Sequence, residues 1–386
     1  MIRLLSSKNF MLAVGAALAS GFNFYSFVFL PTLAGTANLD EFVRANYLGG
    51  LYLFGVGSSI SPFSAYVFTN GKGIALFRYV MISLVSLVFV GLGGASFLNT
   101  ADSIFCLGAA LCMQIAGFFL ASLIRQERVL AASVLQILQP MLFSGLLTLH
   151  EFTGYSDLNW PLSYSLSCFV FVVVIAVFGD WNWLSENLTG PALIVTSWRS
   201  IIVRIILSAS FPLFFQFELI LIGKFSFINL GDYAMAQKLY ASVAIAIFSS
   251  VGLRLVMVEA EFPKNRAPLV NTKIIVMAFI ILCVVLLVGF GLSFFGKEHG
   301  ISSDLVVGCA IVSAIYTVAS YVSLLATTFK PDLAAKALLF SLSLYSVAFY
   351  LMAPQNSLSV LMLSGFLYVA YISFCQFSIL RMPSQV

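Results

Sequence analysis

The sequence has 386 residues, of which 61% are apolar and only 9% are charged, and its formal net charge is +4. Soluble domains use about 25% charged residues, so too few polar side chains are present to cover a soluble core, and a soluble globular fold is excluded. The small positive charge lies in the predicted loops and gives no reason to expect a nucleic-acid partner. The composition predicts an all-α polytopic membrane protein.

Apolar stretches follow one another along almost the whole chain. A spanning helix needs about 20 mostly apolar residues, and this length predicts twelve spans. They cover residues 10–32, 47–68, 79–98, 104–124, 129–149, 161–179, 201–223, 233–256, 273–295, 305–328, 334–352 and 358–380. The longest predicted outer loops, at 33–46 and 150–160, are too short to hold a folded domain.

The Lys and Arg residues are sorted between alternate connections. Of the 19 in the chain, 15 fall on one side of the predicted membrane, and only Arg44, Lys224, Lys238 and Lys297 fall on the other. Cytoplasmic loops collect Lys and Arg. The side with 15 cations is therefore predicted to be cytoplasmic, and both termini lie on it.

The longest cytoplasmic connection divides the chain into two halves of nearly equal length. This segment contains three of the four tryptophans, and tryptophan favours the membrane interface. We predict an N-terminal six-helix bundle at 1–180, an interfacial cytoplasmic linker at 181–200 and a C-terminal six-helix bundle at 201–386.

One strongly polar residue lies inside the first span of each half. Asn23 follows Lys8 by 15 residues and Glu218 follows Arg204 by 14, a layout that two parallel repeats would produce. At 1.5 Å per residue Glu218 lies about 21 Å from Arg204, well inside a hydrocarbon core about 30 Å thick. Glu218 is therefore either a functional group, lining a cavity or linked to protons, or a structural contact with a neighbouring helix.

Three cations are candidate substrate-binding residues. Lys238 lies one or two turns inside the eighth predicted span, where it either snorkels to the outer surface or binds an anionic ligand. Arg204 and Arg254 lie within about one turn of the cytoplasmic edge. For these two residues, snorkelling competes with bidentate binding of a phosphate at a cavity mouth.

Amides and hydroxyls are candidate sugar-binding groups. Gln136 and Gln139 precede Pro140 in the fifth predicted span, and the tenth carries a stripe of Tyr316, Ser320, Ser323 and Thr327. Neighbouring helices bind each other through the same groups, so a packing role is equally compatible with the pattern.

Motifs for catalysis, cofactors and metals are absent from the sequence, which contains no P-loop, G-x-S-x-G or H-E-x-x-H. The six cysteines lie in or at the rim of apolar stretches without C-x-x-C spacing, which is typical of apolar packing residues. We therefore expect a protein that is not an enzyme and that needs neither a cofactor nor a metal.

The start of the second predicted half resembles a family of exporters. It reads Phe217-Glu-Leu-Ile-Leu-Ile-Gly-Lys-Phe225 and then Leu230-Gly-Asp-Tyr-Ala-Met-Ala-Gln-Lys-Leu-Tyr240. An acidic residue, an ILIG-like run, a short loop and G-x-Y-x-x-A-x-(K/R)-L resemble the polysaccharide (O-antigen and capsule) flippases of the multidrug/oligosaccharidyl-lipid/polysaccharide exporter (MOP) superfamily. The acidic residue in that family is typically Asp, and Glu218 stands at its place here.

The resemblance implies two six-helix bundles around a central cavity lined by the first, second, seventh and eighth helices. It implies that an undecaprenyl-pyrophosphate-linked oligosaccharide repeat unit is moved by alternating access across the bacterial cytoplasmic membrane. Membrane lipid surrounds such a protein, and a polysaccharide polymerase and a chain-length regulator are candidate partners. Two alternatives stay open: a drug or cation antiporter on the same fold, and a membrane polysaccharide polymerase, which would be an enzyme.

Overall fold

The computed structural model describes residues 8–53, 76–94, 100–125, 128–154, 159–178, 210–225, 228–247, 269–295 and 301–380. These residues are predominantly α-helical, and Tyr25–Phe29 forms a π-helical segment within the first span. In chain order they are α1 (Lys8–Phe24), the π-helical segment (Tyr25–Phe29), α2 (Leu30–Ala34), α3 (Ala37–Ala45), α4 (Tyr47–Leu51), α5 (Leu76–Gly93), α6 (Ala101–Arg125), α7 (Val129–Thr153), α8 (Trp160–Phe178), α9 (Ser210–Phe225), α10 (Leu230–Ile247), α11 (Thr272–Phe295), α12 (Ser303–Phe329), α13 (Pro331–Met352) and α14 (Ser357–Leu380).

The predicted fold class, an all-α polytopic membrane protein, is confirmed. Within the described residues, seven helical segments are long and apolar enough to cross a membrane: Val14–Ala34, Val129–Thr153, Trp160–Phe178, Thr272–Phe294, Ser303–Ser323, Asp332–Met352 and Ser357–Ser378. Helices α7, α8 and α11 to α14 begin and end close to the predicted spans. The predicted spans 47–68, 79–98, 201–223 and 233–256 run partly outside the described residues.

The first span is interrupted where the sequence predicts a continuous helix. Pro31 has no backbone N–H and cannot donate to the carbonyl of Phe27, four residues earlier. The chain instead forms the π-helical segment, in which the Leu30 N–H donates to the Tyr25 carbonyl, five residues earlier. The proline thus opens the helix one turn before its own position.

The predicted outer loop 33–46 contains the helix α3. Leu39, Phe42 and Val43 are buried, with 0%, 3% and 8% of their surface exposed, and they lie at the i, i+3, i+4 spacing of one helix face. Asp40 and Arg44 lie in its first and last turns, where charges of these signs favour a helix. Because this amphipathic pattern is short and lies within a polar connection, the sequence predicts a loop there.

Contacts group the chain into two units. The first unit contains Met1–Gly15 and Glu41–Ile220, and the second contains Ala16–Asp40 and Leu221–Val386. Most of the first span is therefore grouped with the C-terminal helices, and the described start of α9 with the N-terminal ones. The predicted linker at 181–200 lies outside the described residues.

The first unit packs around α6, α7 and α8. Its core includes Phe119, Leu123, Leu135, Phe171 and Ile175, all with 6% or less of their surface exposed. The second unit is organised around α12, which packs against α10, α11, α13 and α14. Each unit thus has a helical core of its own.

Candidate functional site

Helix α10 is buried around its whole circumference. From Leu230 to Ala244 every residue is buried except Asp232, Lys238 and Val243, which are partly exposed. The next helix, α11, instead exposes large apolar side chains, as a lipid-facing helix does; examples are Phe279 at 64% and Leu287 at 75%. Because α10 has no lipid-facing stripe in this stretch, the exposed part of Lys238 does not belong to a lipid-facing surface.

The ammonium group of Lys238 lies over an aromatic ring of the first span. Its Nζ is 5.0 Å from the ring centroid of Phe27, which belongs to the π-helical segment and is 9% exposed. A cation over such a ring is stabilised by about 0.5 to 2 kcal/mol, depending on its desolvation. Among the described residues, no carboxylate forms an ion pair with Lys238.

The first span and α10 continue their contact toward the predicted outer end. The Thr36 hydroxyl donates to Asp232 Oδ1 at 2.7 Å, and Thr32 Oγ1 lies 3.7 Å from Met235 Sδ. The two segments therefore run antiparallel along this contact. At 1.5 Å per residue, Lys238 lies about 9 Å inward of Asp232 along α10.

A cavity of about 590 Å³ lies at the predicted outer end of the second unit. It is lined by the ends of the first span, α10, α12 and α14: Thr36, Asn229, Asp232, Met235, Ile301, Ser302, Asp304, Leu305, Asn356, Ser357 and Leu358. Several of its polar groups cap these helices; Asn229 Oδ1 accepts from the Gly231 N–H and Asn356 Oδ1 from the Ser359 N–H. Its charged lining groups are carboxylates, which makes it unsuited to an anion.

Asn23 belongs to the same unit as Lys238. It is partly exposed and lies four residues before Phe27, one helical turn further inward. The predicted halves assign Asn23 and Lys238 to different bundles, whereas the contacts group them together. Arg204 and Arg254 lie outside the described residues.

Glu218 lies in the first unit and is completely buried. Phe214 and Ile222, one turn to either side of it on α9, are also 0% exposed. The carboxyl group is therefore enclosed by packed side chains in this structure and lines no open surface. A proton-coupling role for Glu218 stays a prediction.

The two glutamines of α7 make helix contacts. Gln139 is 6% exposed and its amide donates to Ser167 Oγ on α8 at 3.2 Å. Gln136 lies against α1, because a Cβ on Gly15 would be 2.2 Å from Gln136 Nε2. In this structure both amides connect helices of the first unit.

The predicted hydroxyl stripe of the tenth span lies on α12, and its members Tyr316 and Ser323 are buried in the second unit. The Tyr316 ring packs edge-on against Tyr240 of α10 and Tyr368 of α14, at centroid distances of 6.2 and 5.3 Å. Ser323 is 8% exposed. Among the described residues, no group of three His, Cys, Asp or Glu side chains is arranged to hold a metal ion.

The same helical arrangement occurs in solved transporter structures. A multidrug resistance MATE family transporter of the MOP superfamily, in an outward-facing conformation, has a TM-score of 0.54 and 13% identity, covering 98% of this chain and 97% of its own. The chain has the fold of a MOP-superfamily transporter.

Two further structures with this MOP fold support the similarity. One is a mutant of the Vibrio cholerae MATE transporter VcmN, with a TM-score of 0.51 and 12% identity over 98% of this chain and 97% of its own. The other is a MOP-superfamily transporter from Pyrococcus furiosus, described as having a binding pocket of reverse polarity, with a TM-score of 0.51 and 11% identity over 99% of both chains. No protein-family model matches the sequence, and no curated protein matches it.

Sequence analysis missed Phe27 and the Thr36–Asp232 contact. Phe27 is one of 38 phenylalanines, and its sequence context does not distinguish it. Pro31 was the available signal, because a proline at that position predicts an opened backbone around residue 27. Which residue then faces Lys238 depends on how α10 packs beside the first span.

Proposed function

We propose that the protein is a flippase that translocates an undecaprenyl-pyrophosphate-linked oligosaccharide repeat unit, for O-antigen or capsule, across the bacterial cytoplasmic membrane by alternating access. The observation that carries the proposal is Lys238, a partly exposed cation on the mostly buried α10, with no ion pair among the described residues. Ionisable residues at membrane depth mark substrate pathways in transporters. The resemblance of residues 217–240 to polysaccharide flippases and the MOP fold both support this assignment.

The pyrophosphate group is the part of the substrate that needs a cation. Lys238 supplies a positive charge and up to three N–H donors, and Asn23 on the adjacent segment supplies an amide. Arg204 and Arg254 are proposed as rim residues that first bind the pyrophosphate on the cytoplasmic side. The polyprenyl tail stays in lipid while the glycan passes through a hydrophilic path.

Glu218 is proposed as the group that couples transport to the proton gradient. A carboxyl group that moves between a buried and a solvated environment changes its affinity for the proton. Alternating access would provide both states. The Glu218→Gln variant retains a neutral group of the same size, so we expect it to lose the part of transport that the proton gradient drives. Flipping that stays intact in this variant and is insensitive to collapse of the gradient would exclude Glu218 as the coupling group.

An antiporter of small cationic molecules is the second candidate function. It is favoured by the outer cavity, whose charged lining groups Asp232 and Asp304 suit a cation, and by the MATE transporters that share the fold. A membrane polysaccharide polymerase is less well supported. Such an enzyme would need a sizeable outer loop with catalytic groups for glycosyl transfer, and the longest predicted outer loops, 33–46 and 150–160, are short.

The deciding experiment locates the lipid-linked repeat unit in a deletion strain. If the protein is the flippase, single repeat units accumulate on the cytoplasmic face, and the wild-type gene restores export. Accumulation on the periplasmic face would indicate a polymerase. If the units are exported normally and the strain becomes sensitive to cationic drugs, the antiporter replaces the flippase. Co-purification would test the proposed partners, a polysaccharide polymerase and a chain-length regulator.

A further inference from the structure

The π-helical segment brings Phe27 to the face of the first span that contacts α10. Phe27 and Thr32 both contact α10 residues, Lys238 and Met235, although they are five residues apart. In an uninterrupted α-helix five residues turn the chain by about 500°, which leaves the two side chains about 140° apart. The five-residue hydrogen bonding of the π-helical segment reduces this offset.

A lysine beside this segment needs an external constraint to keep its charge in place. The lysine side chain is flexible, and its ammonium is a point charge that favours water. Helix side chains tilt toward the helix N-terminus, which for α10 is the predicted outer end. Without a partner, Lys238 would therefore extend outward along α10 toward Asp232 and the outer cavity.

We propose that Phe27 is a positioning residue that holds the Lys238 ammonium at the depth of the π-helical segment for binding of a lipid-linked pyrophosphate. This inference rests on the proposed function for its ligand. The ring attracts the cation through its face without neutralising it, whereas a carboxylate at the same place would compete with the phosphate. An aromatic partner thus keeps the lysine in place and leaves its charge to the ligand.

The first test measures the position of the ammonium without any ligand. The full-length protein in detergent is acylated with a small amine-reactive ester, and the rate at each lysine is followed by mass spectrometry. Phe27→Leu removes the ring face and keeps an apolar side chain, so we expect Lys238 to react about two- to fivefold faster. Phe27→Tyr retains the ring and should react like the wild type. The exposed Lys224 is the internal control in every sample.

Phe29→Leu is the matched control variant. Phe29 lies in the same π-helical segment and stacks on Tyr25, with ring centroids 5.7 Å apart. The substitution makes the same chemical change two residues away, and we expect the reaction rate of Lys238 to be unchanged. A rate that is unchanged in Phe27→Leu, or raised equally in both variants, would overturn the proposal.

The second test measures binding of farnesyl pyrophosphate to the full-length protein in lipid nanodiscs. We expect Phe27→Leu to weaken binding about two- to fivefold and to have no further effect in a Lys238→Met background, because Phe27 acts through the lysine. An equal loss in both backgrounds would show that Phe27 acts on its own and would overturn the positioning role.

The two tests separate the positioning role from the proposed function. If the wild type binds no farnesyl pyrophosphate while Phe27→Leu still accelerates acylation of Lys238, the proposed ligand is wrong. The positioning of the ammonium by Phe27 then stands without that ligand.

Discussion

Polar side chains at membrane depth have different surroundings in the two units. In the first unit Glu218 is 0% exposed and Gln139 is hydrogen-bonded to the neighbouring helix. In the second unit Lys238 stays partly exposed, and its ammonium lies over an aromatic ring. Depth in the membrane thus does not by itself predict whether a polar group is packed or partly exposed, and the surroundings of each group must be compared. The predictions below test this difference, from the largest expected effect to the smallest.

Glu218→Ala should strongly destabilise the protein. The side chain is fully buried between Phe214 and Ile222, so its removal leaves a cavity, which typically costs about 2 to 5 kcal/mol. The free energy of unfolding in an SDS titration measures this loss. Glu218→Gln is the matched control and should lose far less, since it keeps the volume. If Glu218→Ala is as stable as the wild type, the group is not packed and the contrast between the units fails.

Gly15→Ala should weaken the packing of α1 on α7 in the first unit. The new Cβ would lie 2.2 Å from Gln136 Nε2 and 2.7 Å from the Ser133 carbonyl oxygen. The Gln136 side chain can move, but the backbone oxygen cannot easily do so. We therefore expect the free energy of unfolding to fall by about 1 to 3 kcal/mol. Unfolding in SDS is again the measurement.

Gly21→Ala on the same helix is the control for this prediction. A Cβ there meets no atom within 4 Å, and alanine is the better helix former. We expect this variant to be at least as stable as the wild type. If both substitutions destabilise the protein equally, the effect arises from the change within α1 and does not depend on its contact with α7.

Lys238→Met should weaken pyrophosphate binding and leave the fold intact. Methionine keeps the apolar stem but removes the charge, so we expect the affinity for farnesyl pyrophosphate in nanodiscs to fall at least about tenfold, equivalent to about 1.4 kcal/mol. The partly exposed position predicts only a small change in unfolding free energy. Lys238→Arg retains the charge and should bind with an intermediate affinity. A destabilised Lys238→Met that binds normally would place the lysine with the packing groups of the first unit.

The sequence was sufficient to predict the fold class and most described spans, because a hydrocarbon core demands long apolar helices whatever the tertiary structure. It also singled out Glu218 and Lys238, since charges within apolar runs are conspicuous. The helix α3 was missed because it is only nine residues long and lies within a polar connection.

The surroundings of the candidate residues could not be read from the sequence. Burial of Glu218 and partial exposure of Lys238 depend on which helices surround them, and both look alike as single charges in apolar sequence. Likewise, Asn23 and Lys238 are 215 residues apart, and their membership of one unit depends on tertiary contacts. The aromatic partner of Lys238 depends additionally on the local opening of the helix before Pro31.

Gln139→Leu should have the smallest effect of these substitutions. The amide donates to Ser167 Oγ at 3.2 Å, but the Ser167 hydroxyl itself donates to the Tyr164 carbonyl and keeps that bond when Gln139 is replaced. Hydrogen bonds between membrane helices contribute about 0.6 kcal/mol on average, and leucine preserves most of the side-chain volume. We therefore expect the free energy of unfolding in SDS to fall by a value near that average. Binding of farnesyl pyrophosphate should not change, because the group connects α7 to α8 and does not contact the ligand. Weaker binding at unchanged stability would move Gln139 from the packing groups to the substrate path, and the first unit would then contribute to the site as well.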